Sequence, residues 1–162
     1  SINNKPSAIR YPRVLAHEYK NKNKNKKILI SKSTIIKKGK KIAFLNLGTR
    51  LSKVLEIREL IKKNHKLDCS VIDMRFAKPI DTKLIQKLTV NHDLFVTVEE
   101  NAIGGFSSQV NDFLINNLEK TPKILNFFMK DEFIDQSDIE DQYIKSGIST
   151  KIIYKKLIKF LE

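Results

Sequence analysis

The sequence Thr97-Val98-Glu99-Glu100 closes an apolar run with two carboxylates, and a glycine pair, Gly104-Gly105, follows in the same stretch. Carboxylates beside a glycine-rich turn are the raw material of acid–base chemistry or of a phosphate cradle. A second candidate lies near the other end of the chain, where Arg10 and Arg13 flank Tyr11-Pro12. Either guanidinium could grip a phosphate, a charge-assisted contact worth roughly 1.5–3 kcal/mol. Either could equally form a surface salt bridge, and residue type alone does not separate the two uses.

Spacing weakens the first candidate. Neighbouring strand residues point to opposite faces, so Glu99 and Glu100 cannot work as a facing acid–base pair. One of them is placed to accept bonds from the start of the next helix, where a carboxylate is favoured by about 0.3–1 kcal/mol. Gly104 and Gly105 then supply a tight turn or a close helix approach. The carboxyl end of a strand is also where sites in α/β folds lie, which keeps a functional role open. Other signatures are lacking. The first strand-to-helix turn, "LGTRLS", has one glycine where a dinucleotide fingerprint needs three, and there is no GxxxxGK[ST] or GxSxG. His17, His65 and His92 stand in linker or helix-end contexts with no metal-ligand spacing, so each reads as a surface residue. Cys69 begins an apolar run and reads as packing.

The elements that must position these residues follow from hydrophobic pattern. Residues 7–13, "SAIRYPR", read as a short extended segment ended by Pro12. Residues 14–27 include "YKNKNKNKK", a solvated linker. "ILISKSTII" (28–36) reads as a strand, turned by "KKGKK" with Gly39 available for positive φ. The runs 42–48, 69–74 and 94–100 read as strands buried on both faces, and 123–129 reads as a fourth strand. Between them, Leu51, Val54, Leu55, Arg58 and Ile61 keep helical spacing, Asp81 is an N-cap for a helix from 82 to about 90, and Gln109, Val110, Phe113, Leu114 and Leu118 mark another helix. Two helical stretches close the chain, the last on Ile153, Leu157 and Leu161. Strand–helix alternation predicts an α/β three-layer sandwich. Its five-stranded sheet is mostly parallel, and the 28–36 strand is an antiparallel edge partner of 42–48.

The length, 162 residues, suits one domain or one domain plus part of another. A single cysteine permits no intrachain disulfide and fits a reducing, cytoplasmic setting. No run reaches the ~18 apolar residues of a membrane span, and the first residues lack the layout of a signal peptide. The net charge of +13 invites a nucleic-acid reading. Yet the excess is 26 lysines against 5 arginines, alongside 22 isoleucines and 13 asparagines. Base readers favour arginine. Lysine, isoleucine and asparagine together are what A- and T-rich codons encode, so the lysines read as solvated surface and nucleic acid is not the expected partner.

Five stretches in one order, "PSAIRYPR", "LNLGT", "VIDMRFAKPID", "TVEENAIGGFSSQVNDFL" and "DEFIDQ", resemble the C-terminal part of the 1-deoxy-D-xylulose-5-phosphate synthases. These are transketolase-like thiamine diphosphate enzymes, and the resemblance runs from about residue 6 to the end. It implies that residues 1–13 hold the last strand of a preceding pyrimidine-binding domain, 14–40 a linker and edge strand, and 41–162 a transketolase C-terminal-like domain. It implies a homodimer that joins decarboxylated pyruvate to glyceraldehyde 3-phosphate on thiamine diphosphate and Mg²⁺, releasing CO2, for isoprenoid, thiamine and pyridoxal synthesis. The "RYPR" stretch implies that Arg13, supported by Arg10, holds the substrate phosphate. Glu99, Glu100, Gly104 and Gly105 become structural or interface turn residues. The diphosphate motif "GDG…N" and the catalytic glutamate belong upstream, so this segment is expected to bind no cofactor or metal and to be inactive alone. It would serve dimerisation and interdomain packing, and the chain would start inside a larger protein. Val14 where the family has glycine, a shortened "NAIGGF" loop and "FFMK" before "DEFIDQ" depart from the pattern. Two rival readings are a stand-alone basic interaction module and the end of a 2-oxo acid dehydrogenase β subunit; "RYPR" favours the synthase.

Overall fold

The computed structural model describes residues 5–9 and 28–162. Arg10, Arg13, Val14, His17 and most of the expected linker lie outside the described residues. Five strands form one sheet: β1 (Thr34–Lys37), β2 (Lys41–Asn46), β3 (Ser70–Asp73), β4 (His92–Val98) and β5 (Lys123–Phe127). Their order is β1-β3-β2-β4-β5, with β2 to β5 parallel to one another and β1 antiparallel to β3. Five helices accompany them: α1 (Leu51–His65), α2 (Thr82–Leu88), α3 (Phe106–Asn117), α4 (Ile139–Lys145) and α5 (Thr150–Leu161).

Alternation along β2 makes the sandwich. Ile42 and Phe44 face one layer, where Val54, Ile57 and Ile61 of α1 and Ile153 and Leu157 of α5 pack. Ala43 and Leu45 face the other, against Ile85 and Leu88 of α2 and Phe106, Val110 and Leu114 of α3. Each such fully buried Leu, Ile or Phe contributes roughly 1.5–3 kcal/mol relative to an exposed one. Asp81 caps α2 by accepting from the Leu84 N–H, and Ser149 caps α5 by accepting from Ile152 N–H. No helix among the described residues is long and apolar enough to cross a membrane.

The antiparallel edge strand is present, but its partner differs from the expectation. β1 pairs with β3, Thr34 opposite Asp73 and Ile35 opposite Ile72, and not with β2. Both edges of β2 are taken, by β3 and β4. The 38–40 connection therefore crosses beneath the start of β3. There Lys40 N–H donates to Asp68 O at 2.8 Å, and Gly39 N–H donates to Ser70 Oγ at 2.9 Å. Gly39 is needed for this approach, since a Cβ would fall 2.0 Å from the Asp68 carbonyl oxygen; the positive φ expected of it belongs to Lys41 instead (65°). Residues 28–33 are not strand either. Lys32 N–H closes a turn on Leu29 O, Ser31 Oγ donates to Ile80 O, and Ser33 N–H donates to the Asp81 carboxylate.

Candidate functional site

The chain leaves β2 for α1 on one face and leaves β4 for α3 on the other, so the carboxyl ends of β2 and β4 form the switch point where open α/β sheets open a crevice. Asn46, Thr49 and Arg50 come to it from the β2 side, and Glu99, Glu100, Gly104 and Gly105 from the β4 side. Tyr143 reaches it from α4.

Glu99 is fully buried and turned towards α3. Its two oxygens accept from the Phe106 and Ser107 N–H groups, both at 2.7 Å, and Asn101 Nδ2 adds a third bond at 3.2 Å. These are the free N–H groups of the first helical turn, a favourable seat for a carboxylate. Gly105 has no room for a side chain, because a Cβ would meet Glu99 Oε2 at 2.3 Å. Gly104, at φ 95°, makes the turn that brings α3 back onto the carboxylate.

Glu100 points the other way. Thr49 Oγ1 and Tyr143 Oη both donate to Glu100 Oε1, each at 2.5 Å. Burial raises the Tyr143 pKa above its ordinary value, and the bond to Glu100 raises it further. The Arg50 guanidinium lies over the Tyr143 ring, 3.8 Å from its centroid, and donates to Ile148 O at 3.3 Å. The crevice is thus filled by a Thr49–Glu100–Tyr143–Arg50 cluster that ties three loops together. Arg50 Nε and Asn46 Oδ1 are buried there with no protein partner among the described residues. The two glutamates serve opposite faces: Glu99 holds the start of α3, and Glu100 holds Thr49 and Tyr143.

Thr49, Arg50 and Tyr143 were not singled out by the sequence. The only available signal was the position of "GTR" at the end of the first buried strand; Tyr143 arrives from a distant helix and had none. His92 corrects the surface expectation. It is 6% exposed on the inward side of the first residue of β4. Nδ1 lies 2.8 Å from the Leu88 carbonyl and so carries the proton, and Nε2 faces Ser70 Oγ at 2.9 Å. His65 is exposed, with Nε2 3.1 Å from Tyr154 Oη. Cys69 is buried, and burial pushes its thiol up to about 12. No cluster of three or more His, Cys, Asp or Glu able to hold a metal occurs among the described residues.

This frame of four parallel strands, with an antiparallel edge strand beside β3, has known relatives. The family described as transketolase, C-terminal domain, matches residues 31–153. The chain belongs to that family. It is 40% identical over 157 residues to 1-deoxy-D-xylulose-5-phosphate synthase of Haemophilus influenzae, covering 97% of this chain and 24% of that protein. The synthase of Aliivibrio fischeri strain MJ11 is 40% identical over 164 residues, covering 97% of this chain and 25% of its own length. A solved split-gene transketolase, an inactive β4 tetramer, matches with a TM-score of 0.73 at 26% identity, over 82% of this chain and 43% of that one. The chain therefore spans about a quarter of the length of these synthases and corresponds to their C-terminal part.

Proposed function

We propose that the chain works as the C-terminal domain of a 1-deoxy-D-xylulose-5-phosphate synthase, a transketolase-type transferase that condenses pyruvate with glyceraldehyde 3-phosphate and releases CO2. The observation that carries the reading is 40% identity to such synthases along 97% of the chain. Residues 1–13 then end the pyrimidine-binding domain, 14–40 link it and supply the edge strand, and 41–162 form the third domain, which packs the homodimer and its neighbouring domains.

The carboxylates at the switch point do not fit the enzyme's cofactor. Both Glu99 oxygens are held by backbone N–H groups of α3, and Glu100 is tied by two hydroxyls. Glu99 has no oxygen left for a pyrimidine ring or a magnesium diphosphate, and Glu100 has only Oε2 left. Thiamine diphosphate and Mg²⁺ belong to upstream domains on this reading, and the isolated segment neither binds them nor turns over substrate. Micromolar cofactor binding to these 162 residues by calorimetry would contradict this.

The segment's own contribution to substrate binding is assigned to Arg13, with Arg10 supporting it, as phosphate donors. In the complete enzyme, Arg13→Ala is expected to raise KM for glyceraldehyde 3-phosphate by about 10- to 100-fold, the loss of one charge-assisted contact of roughly 1.5–3 kcal/mol, with KM for pyruvate little changed. An equal rise for both substrates would refute the phosphate role.

A further inference from the structure

The two ends of the sheet differ in character. At the amino end, Lys38, Lys40, Lys41 and Lys66 surround a cleft of about 500 Å³. At the carboxyl end the loops carry bare apolar side chains. Phe133, in the loop after β5, is fully exposed (108%), and Ile103, in the neighbouring loop after β4, is 66% exposed. On the far flank Ile28, Leu29 and Ile30 are also uncovered. The stem of the Phe133 loop is held, with Met129 N–H donating to Asn101 O and Lys130 N–H to Ser146 O. An aromatic side chain on an anchored stem is pre-organised for a pocket, and covering it would bury ~150–250 Å².

Charge narrows the partner. Asp131, Glu132, Asp135, Asp138, Glu140 and Asp141 surround Phe133 in sequence and are exposed, on a protein of net charge +13. The complementary surface is an apolar pocket with a Lys- or Arg-rich rim. Topology says where that partner comes from. Because β1 runs antiparallel to β3, its first residue, Thr34, is level with Asp73 at the carboxyl end. The described chain before β1 therefore starts at the carboxyl end of the sheet, the end that also carries the Phe133 loop, though on the opposite flank, and synthases of this kind are about four times as long as this chain.

We propose that the carboxyl edge, anchored by Phe133, docks into a basic-rimmed apolar pocket on the upstream domains of the longer polypeptide. The proposal rests on the synthase reading, since it needs those domains. The test places a photo-cross-linker, Phe133→p-benzoylphenylalanine, in the longer polypeptide, with the same group at Val90, an exposed residue on the turn before β4, as control. Mapped cross-links from position 133 to segments upstream of residue 1, at least tenfold above the Val90 control, are the expected result. Cross-links to the C-terminal domain of a second copy, including its lysine cleft, would overturn the proposal, as would a yield no higher than the control. If the bulky group blocks assembly, Phe133→Ser is read by hydrogen exchange. Faster exchange of upstream peptides, with β2 peptides unchanged, supports docking, and unchanged exchange throughout overturns it. Turnover of pyruvate and glyceraldehyde 3-phosphate by the unsubstituted protein reports separately on the synthase reading.

Discussion

At the residue scale, Glu99 is the side chain on which the β4–α3 turn depends. Removing its carboxylate orphans two buried N–H groups, each costing roughly 1–3 kcal/mol. Glu99→Ala is therefore expected to lower unfolding free energy by about 2–6 kcal/mol in urea titration, and a change under about 0.5 kcal/mol would contradict the capping role. Tyr143 gives a pH signature. Its folded pKa is raised above the ordinary tyrosine value of 10.0, chiefly by burial. The folded state thus holds the phenolic proton more tightly than the unfolded chain, so this stability is fully present below pH 10 and is lost as pH climbs through the raised value. Cys69, pushed from 9.0 to about 12, acts in the same direction between those pH values. Tyr143→Phe should flatten the alkaline fall in thermal midpoint. An unchanged alkaline limb would show that the phenol does not contribute to it.

At the element scale, the buried strands and the helices α1, α2, α3 and α5 were legible because their apolar periodicities of 2 and 3.6 are local properties of the sequence. The Asp81 cap was legible for the same reason. The pairing of β1 was not. "ILISKSTII" followed by "KKGKK" carries the same alternation and turn chemistry whether the strand folds onto β2 or passes under β3. The choice is made by occupancy of the sheet, with β3 and β4 already flanking β2. Gly39 shows the consequence, because its missing Cβ is required by the Asp68 backbone. Gly39→Ala must move main chain rather than a flexible side chain, and a loss of about 2 kcal/mol or more is expected. Full retention of the thermal midpoint would contradict the crossing. His92 was misread for a related reason: its partners, Leu88 and Ser70, lie on two other elements.

At the scale of the whole molecule, the candidate site divides in two. The Glu99–Glu100 pair and its glycines were found by sequence, since strand end, carboxylates and glycine turn are contiguous. The Thr49–Glu100–Tyr143–Arg50 cluster was not, because its members meet only once α4 folds back over the switch point. What fills that crevice is the chain itself, which suits a domain that holds neighbours in place more than one that binds a small molecule. The basic amino end and the apolar, acid-fringed carboxyl end give the sheet two chemically different ends, with Thr34, the first residue of β1, level with the apolar one. The most direct measurement of the central claim is product formation from pyruvate and glyceraldehyde 3-phosphate, with thiamine diphosphate and Mg²⁺ supplied. It is made on the longer polypeptide that the synthase reading requires and, side by side, on the chain alone. The account predicts 1-deoxy-D-xylulose 5-phosphate and CO2 from the former and none from the latter. A longer polypeptide that makes no such product, or an isolated chain that does, would contradict it.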